Sequence, residues 1–329
     1  MALLAASIAL GAGATFSTLA IPGGTRGVGF DDLRFVAATG EFLVPAGRTG
    51  KLDIVDTKSQ GIETIGGFSR ADSYVGGHGE GVTSADEQGG FIFATDRTTR
   101  LLSVVGAKTK AIVARAALAS GPDYVRVVSA TAELWITEPG AERIEVFALD
   151  SAGGFPQPAH RRFIAVPGGP ETLVIDDARG RAYANLWAGK TVAIDLHNGE
   201  IVARWANGCR GSRGLALDSK REFVFVGCAE GRLAVLSTAT GRILGSVDSG
   251  DGVDIIAYSP KLRHVYMPGA KSATMAIVAI SARGIPTVLA TVKTAPEAHC
   301  VAADDLGNAW VCDPRAGRLL IFADPYRSS

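Results

Sequence analysis

Short apolar runs broken by glycine and by polar turns recur along the whole chain, and their spacing predicts strands rather than helices. SRGLALD at Ser212, PETLVID at Pro170, GVDIIAYSP at Gly252 and EAHCVAAD at Glu297 share one frame. GEGVTSAD at Gly79, PDYVRVVS at Pro122 and FDDLRFVA at Phe30 extend it toward the N-terminus. In each, one polar residue precedes a short apolar strand and a turn. A second strand follows (FLVPAG, FIFATD, LWITEP, AYANLW, FVFVGC, VYMPGA, AWVCDP), and then a third (KLDIVDT, RLLSVVG, RIEVFAL, KTVAIDL, RLAVLST, TMAIVAI, RLLIFAD).

The leading polar residues are Asp31, Glu80, Asp123, Glu171, Arg213, Asp254 and His299, which recur every 41 to 49 residues. A four-stranded propeller blade takes about 40–50 residues. No helical period separates the strands, which excludes a doubly wound α/β fold. The expected fold is therefore all-β: a seven-bladed β-propeller of four-stranded blades.

The last repeat ends at RLLIFADPYRSS and lacks a fourth strand, while ATFSTLAIPGG near the start resembles the fourth-strand segment RRFIAVPGG. Residues 15–22 are thus expected to complete blade seven and close the ring, removing its exposed edges. The preceding MALLAASIALGAGA resembles the apolar core of a secretory signal, although it has no basic n-region, and Ala12-Gly13-Ala14 offers a cleavage site. The division expected is a signal remnant at 1–14 and one propeller at 15–329, with cleavage after Ala14 sparing the closing strand.

The units VAIDLHNGEIVARW and LAVLSTATGRILGSVDSGDGVD resemble the YVTN or YncE-like propeller repeat, and CRGSRGLALDSKREFVFVGC resembles the cysteine-bracketed blade of its periplasmic members. The early repeats depart from that pattern, notably at VGAKTKAI. The resemblance implies an exported, monomeric binding scaffold or a subunit serving a redox partner, and says little about activity.

Composition narrows the partners. Lys+Arg and Asp+Glu both number 33, so the net charge is zero, and no basic run offers a footprint for nucleic acid or an anionic membrane. The apolar N-terminal run is too short to span a bilayer. Partners are expected to be a protein or a small ligand.

Four cysteines fall into two hairpins. Cys209 and Cys228 lie just beyond the strand ends of blade five, and Cys300 and Cys312 stand opposite one another in blade seven. Neither pair has C-x-x-C spacing. The first is read as a disulfide, in keeping with a periplasmic or secreted location. The second is open between a disulfide and two buried thiols.

The seven leading residues are expected to surround one mouth of the central channel: five carboxylates, one arginine and one histidine. Arg213 is placed to satisfy Glu171 and Asp254, and His299 to satisfy Asp254 and Asp31, which leaves Glu80 and Asp123 crowded. Three readings are open. Arg34 and Arg126, three residues after Asp31 and Asp123, would neutralise the acids in a structural ion network. Alternatively Glu80, Asp123, Glu171 and Asp31 would hold calcium or another divalent cation, or His78 and His299 would take a transition metal. The third reading is a metal-dependent hydrolase of the gluconolactonase/regucalcin type, whose Glu-Gly-Pro-x-Trp signature is absent here. An accessory propeller subunit of a periplasmic redox enzyme is a further alternative, and C-x-x-C-H is absent too. Trp187 is placed on the mouth face, as pocket lining or as a stacked rim residue. His160, His197 and His264 are read as surface residues, and Asp304 and Asp305 as turn residues.

Overall fold

Each repeat folds into a four-stranded antiparallel sheet, and seven such sheets make up the computed structural model, which describes residues 16–150 and 154–326. The leader-like segment 1–14 lies outside the described residues. Blade four shows the plan: Pro170–Asp176 is innermost, followed outward by Arg181–Leu186, Lys190–Asp195 and Ile201–Ala206. The two middle strands are buried on both faces because each sheet is covered by the sheets beside it. Outer strands such as Ile201–Ala206 instead alternate between half-buried and exposed positions. Among the described residues no helix is long and apolar enough to cross a membrane.

The ring closes as the sequence predicts. Phe16–Ala20 forms the outer strand of blade seven, antiparallel to Arg318–Ala323, with Phe16 opposite Phe322 and Ala20 opposite Arg318. The Ile21 N–H then donates to the Gly317 carbonyl (3.0 Å), and the Val28 N–H to that of Pro314 (2.8 Å). Gly317 has a positive φ, and a Cβ there would run into the Gly24 carbonyl, so the closing turn admits only glycine. Blades seven and one are sealed by a shared apolar cluster in which the rings of Phe42 and Trp310 lie 5.1 Å apart.

Both cysteine pairs are disulfides, Cys209–Cys228 and Cys300–Cys312, and no cysteine is free. The open alternative for blade seven is thereby settled. Cys300 and Cys312 continue the register that pairs Val301 with Val311, so they stand directly opposite. Two disulfides point to an oxidising compartment. The acids of the same hairpin have a local task. Asp304 accepts from the backbone N–H groups of Leu306, Gly307 and Asn308 and from the Trp310 indole, which fixes the turn away from the mouth.

His160 and His197 are exposed as expected, but His264 is not. It is fully buried, with Nδ1 2.8 Å from the Asp324 carboxylate, which also accepts from the Tyr266 hydroxyl. Its partner follows the last strand, 60 residues on, so nothing near His264 in the sequence marks it as interior.

Denatured, unreduced protein should titrate no thiol, and Cys209→Ser with Cys228→Ser should cost about 3 kcal/mol in urea unfolding. Asp53 is buried in blade one with one carboxylate oxygen accepting from Thr64 and the other unpartnered, and burial raises its pKa to about 6. The folded state therefore holds this proton more tightly than the unfolded chain, and stability falls as pH rises from about 4 through 6. Asp53→Asn should gain about 3 kcal/mol well above pH 6 and nothing below pH 4, read from melting curves across pH.

Candidate functional site

The inner strands begin at one mouth of the channel, and the second strands end there. Two positions per blade therefore face that mouth: the residue leading the inner strand and the residue just after the second strand. Trp187, after Arg181–Leu186, holds the second position in blade four, and Arg97, after Phe91–Asp96, holds it in blade two. Trp187 was singled out from the sequence and Arg97 was not. Their shared place in the repeat is the signal that would have found it.

Arg97 organises one side of the mouth. One terminal nitrogen reaches Asp31 at 3.0 Å and also donates to Asp123, while Nε donates to the Pro122 carbonyl (2.9 Å) and Nη1 to that of His78 (3.1 Å). The predicted neutralisers do not take this part. Arg34 pairs with Asp86 (2.9 Å), and Arg126 makes a bidentate bond to Asp32 (2.6 and 2.9 Å). All four line a deeper cavity of about 500 Å³ in the channel. Three residues along a strand rise about 10 Å, enough to move Arg34 and Arg126 a layer below the acids they were expected to meet.

Glu80 is also misplaced by the sequence frame. In blade four Leu173 pairs with Ala184, two residues before the strand end at Leu186, and in blade two Ala85 pairs with Ala94, two before Asp96. The residue matching Glu171 is thus Thr83, not Glu80. Glu80 instead faces a small cleft beside Arg48 and Tyr74. Blade two reaches the axis through His78, carried on the glycine-rich segment 76–81 that precedes its inner strand.

His78 and its neighbours complete the site. Its Nδ1 lies 3.0 Å from Asp31 and its Nε2 3.8 Å from Asp254, and its ring centre is 5.0 Å from that of His299. His299 is buried, with Nδ1 2.7 Å from the Glu297 carbonyl oxygen and Nε2 2.8 Å from that of Phe30. Across the mouth Arg213 donates to Glu171 (2.7 Å), and the half-exposed Trp187 indole donates to the same carboxylate. These residues do not form the calcium set expected from the sequence. Asp31 and Asp123 are taken by Arg97, Glu171 by Arg213 and Trp187, and Glu80 stands apart. Instead, His78, Glu171, Arg213, Asp254 and His299 line a cavity of about 450 Å³ with Lys271 at its edge.

Charge crowding shows in the acids. Burial raises the Asp123 pKa well above the usual carboxylate range; Arg97 opposes this only in part, and the charges of Asp31 and Glu171 push it further up. Asp31 is lowered: burial acts against its charge, but His78 and Arg97 together outweigh it. The Asp31 carboxylate in turn lifts His78 to about 9, against the cost of burial.

No protein-family model matches the sequence, and no curated protein matches it. Solved structures do, 1789 chains in all, so the likeness is to a common architecture. A chain of Kuenenia stuttgartiensis hydrazine synthase superposes with a TM-score of 0.74 at 12% identity, covering 92% of this chain and 96% of that one. A chain of a mitotic checkpoint complex gives 0.75 at 12% identity over 98% and 99%. The β-propeller domain of Myceliophteria thermophila Cps50 (Swd1) gives 0.71 at 12% identity over 94% and 99%. At that identity the comparisons establish a seven-bladed β-propeller and nothing finer.

The pairing at Arg97 is testable. Arg97→Met should destabilise the fold by about 3 kcal/mol in urea unfolding, because two buried carboxyls lose their partner. Adding Asp31→Asn and Asp123→Asn should recover most of that loss. An unrecovered loss would show that Arg97 acts through packing alone.

Proposed function

We propose that this protein is an exported, YncE-like binding propeller that docks a protein partner or small ligand at the mouth bearing Trp187, Glu171 and Arg213. The observation that carries this reading is the combination at one mouth of an open cavity of about 450 Å³ and a half-exposed tryptophan, flanked by charged groups already held in place. A tryptophan with its N–H pinned offers a rigid apolar face at small entropic cost on binding, and aromatic and arginine side chains dominate binding hot spots. The disulfides and the leader-like N-terminal sequence support a periplasmic or secreted setting. The propeller repeats support the YncE-like assignment. One of the similar chains belongs to a mitotic checkpoint complex, an instance of this architecture working within an assembly. In this reading the protein acts as a monomer.

A photo-crosslinking residue at position 187 or 270 should capture a partner from the native extract, and the same residue at position 177, on the opposite side of the ring, should not. Equal capture from both ends, or none from the mouth, would refute the assignment of this face.

A further inference from the structure

We infer that the deeper cavity of the channel is a second binding site, for an uncharged molecule with an apolar body and a carbonyl-type acceptor. It is separate from the docking face and does not rest on it. The cavity has a volume of about 500 Å³, within the range of about 300–1,000 Å³ usual for small-molecule sites. It lies where each inner strand is three residues past its leading residue. Blades one and three place Arg34 and Arg126 at that layer, whereas blades five, six and seven place Ala216, Ala257 and Ala302. Three alanines leave open a space that larger side chains would fill to ordinary interior density.

The two walls select the chemistry. Val174, Ala216, Ala257 and Ala302 offer apolar contact and no hydrogen bond. The opposite wall has its acids engaged and some of its donors free. Asp32 accepts from Arg126 (2.6 and 2.9 Å) and from the Ser84 hydroxyl (2.6 Å), and Asp86 from Arg34 (2.9 Å) and the Val127 N–H (2.9 Å). Arg34 uses only Nε in this, and its two terminal nitrogens have no hydrogen-bond partner among the described residues. Nor has the hydroxyl of Tyr124, which lines the cavity and is only 6% exposed. Burial, with the charges of Asp32, Asp31 and Asp123 adding to it, raises the Tyr124 pKa well above its ordinary value, so the hydroxyl stays a donor. A buried donor left unpaired costs free energy that an acceptor on a ligand recovers.

Charge decides between ligand classes. Around the cavity Asp32, Asp86, Glu87 and the exposed Asp177 outnumber Arg34 and Arg126, which opposes an anion. A cation would meet the free end of Arg34 and acids that are already paired. An uncharged acceptor meets neither obstacle. Water would satisfy the donors, but it finds no partner on a wall of valine and alanine.

The test uses purified full-length protein and prodan, an uncharged naphthalene ketone whose emission shifts to the blue when it leaves water. One probe per chain is expected. Ala257→Leu, which fills the cavity, should abolish the shift. Tyr124→Phe removes a hydroxyl that no protein group uses, so its melting curve should match that of the unaltered protein while prodan binds about three- to tenfold more weakly. Arg34→Gln should weaken binding about tenfold or more. No shift, or a shift that survives Ala257→Leu, would overturn the site. An affinity unchanged by both Tyr124→Phe and Arg34→Gln, or tighter binding of the matching naphthoate, would overturn the ligand class. Trp187→Ala should leave prodan binding unchanged, so failure of this cavity and failure of the docking face are read separately.

Discussion

A blade can bury both faces of its sheet only if a blade stands on each side of it, and seven blades meet that condition together only when the ring is closed. Closure here depends on five residues, Phe16–Ala20, pairing with the strand that ends the last repeat. The apolar clusters follow from it. They lie between neighbouring sheets rather than in one central core, and the cluster joining Phe42 to Trp310 exists only because the first and last repeats meet. The buried His264–Asp324 pair likewise links consecutive blades.

Closure also creates the channel, and the channel is not uniform. At the layer below the mouth, blades one to three contribute Arg34, Asp86 and Arg126, whereas blades four to seven contribute Val174, Ala216, Ala257 and Ala302. The charged half satisfies itself through Arg34–Asp86 and Arg126–Asp32, so its burial costs less than isolated charges would. The mouth above it differs, because its acids outnumber its guanidinium groups. His78, whose charged form Asp31 favours, and a raised carboxyl pKa at Asp123 absorb the surplus.

The architecture was legible in the sequence because it is repeated: a strand pattern seen seven times fixes blade number, hairpin register and the opposition of Cys300 to Cys312. The site was legible only where its residues keep to the repeat. Asp31, Asp123, Glu171, Arg213, Asp254 and His299 lie at or beside the mouth, as their frame implied. Glu80 did not, because the inner strand of blade two, VTSADEQ, is polar enough to hide its own register, and an acid three residues early looked like its leader. Arg97 went unnoticed because it follows a second strand rather than leading a first. Arg34 and Arg126 were assigned to the right channel at the wrong depth, an error of side-chain layer that strand spacing alone would have corrected. His264 could not be recognised from local pattern at all, since its partner lies in the next blade.

The antiparallel pair that closes the ring has a mechanical consequence. Phe16 and Phe322 face each other at one end of it, and the chain leaves both strands from that same end. A load drawn through the two chain ends therefore acts on one rung at a time, peeling the pair like a zipper instead of shearing all its hydrogen bonds at once. The seam that completes the ring under thermal equilibrium is thus its weakest point under tension, and blade seven, which holds it, opens first.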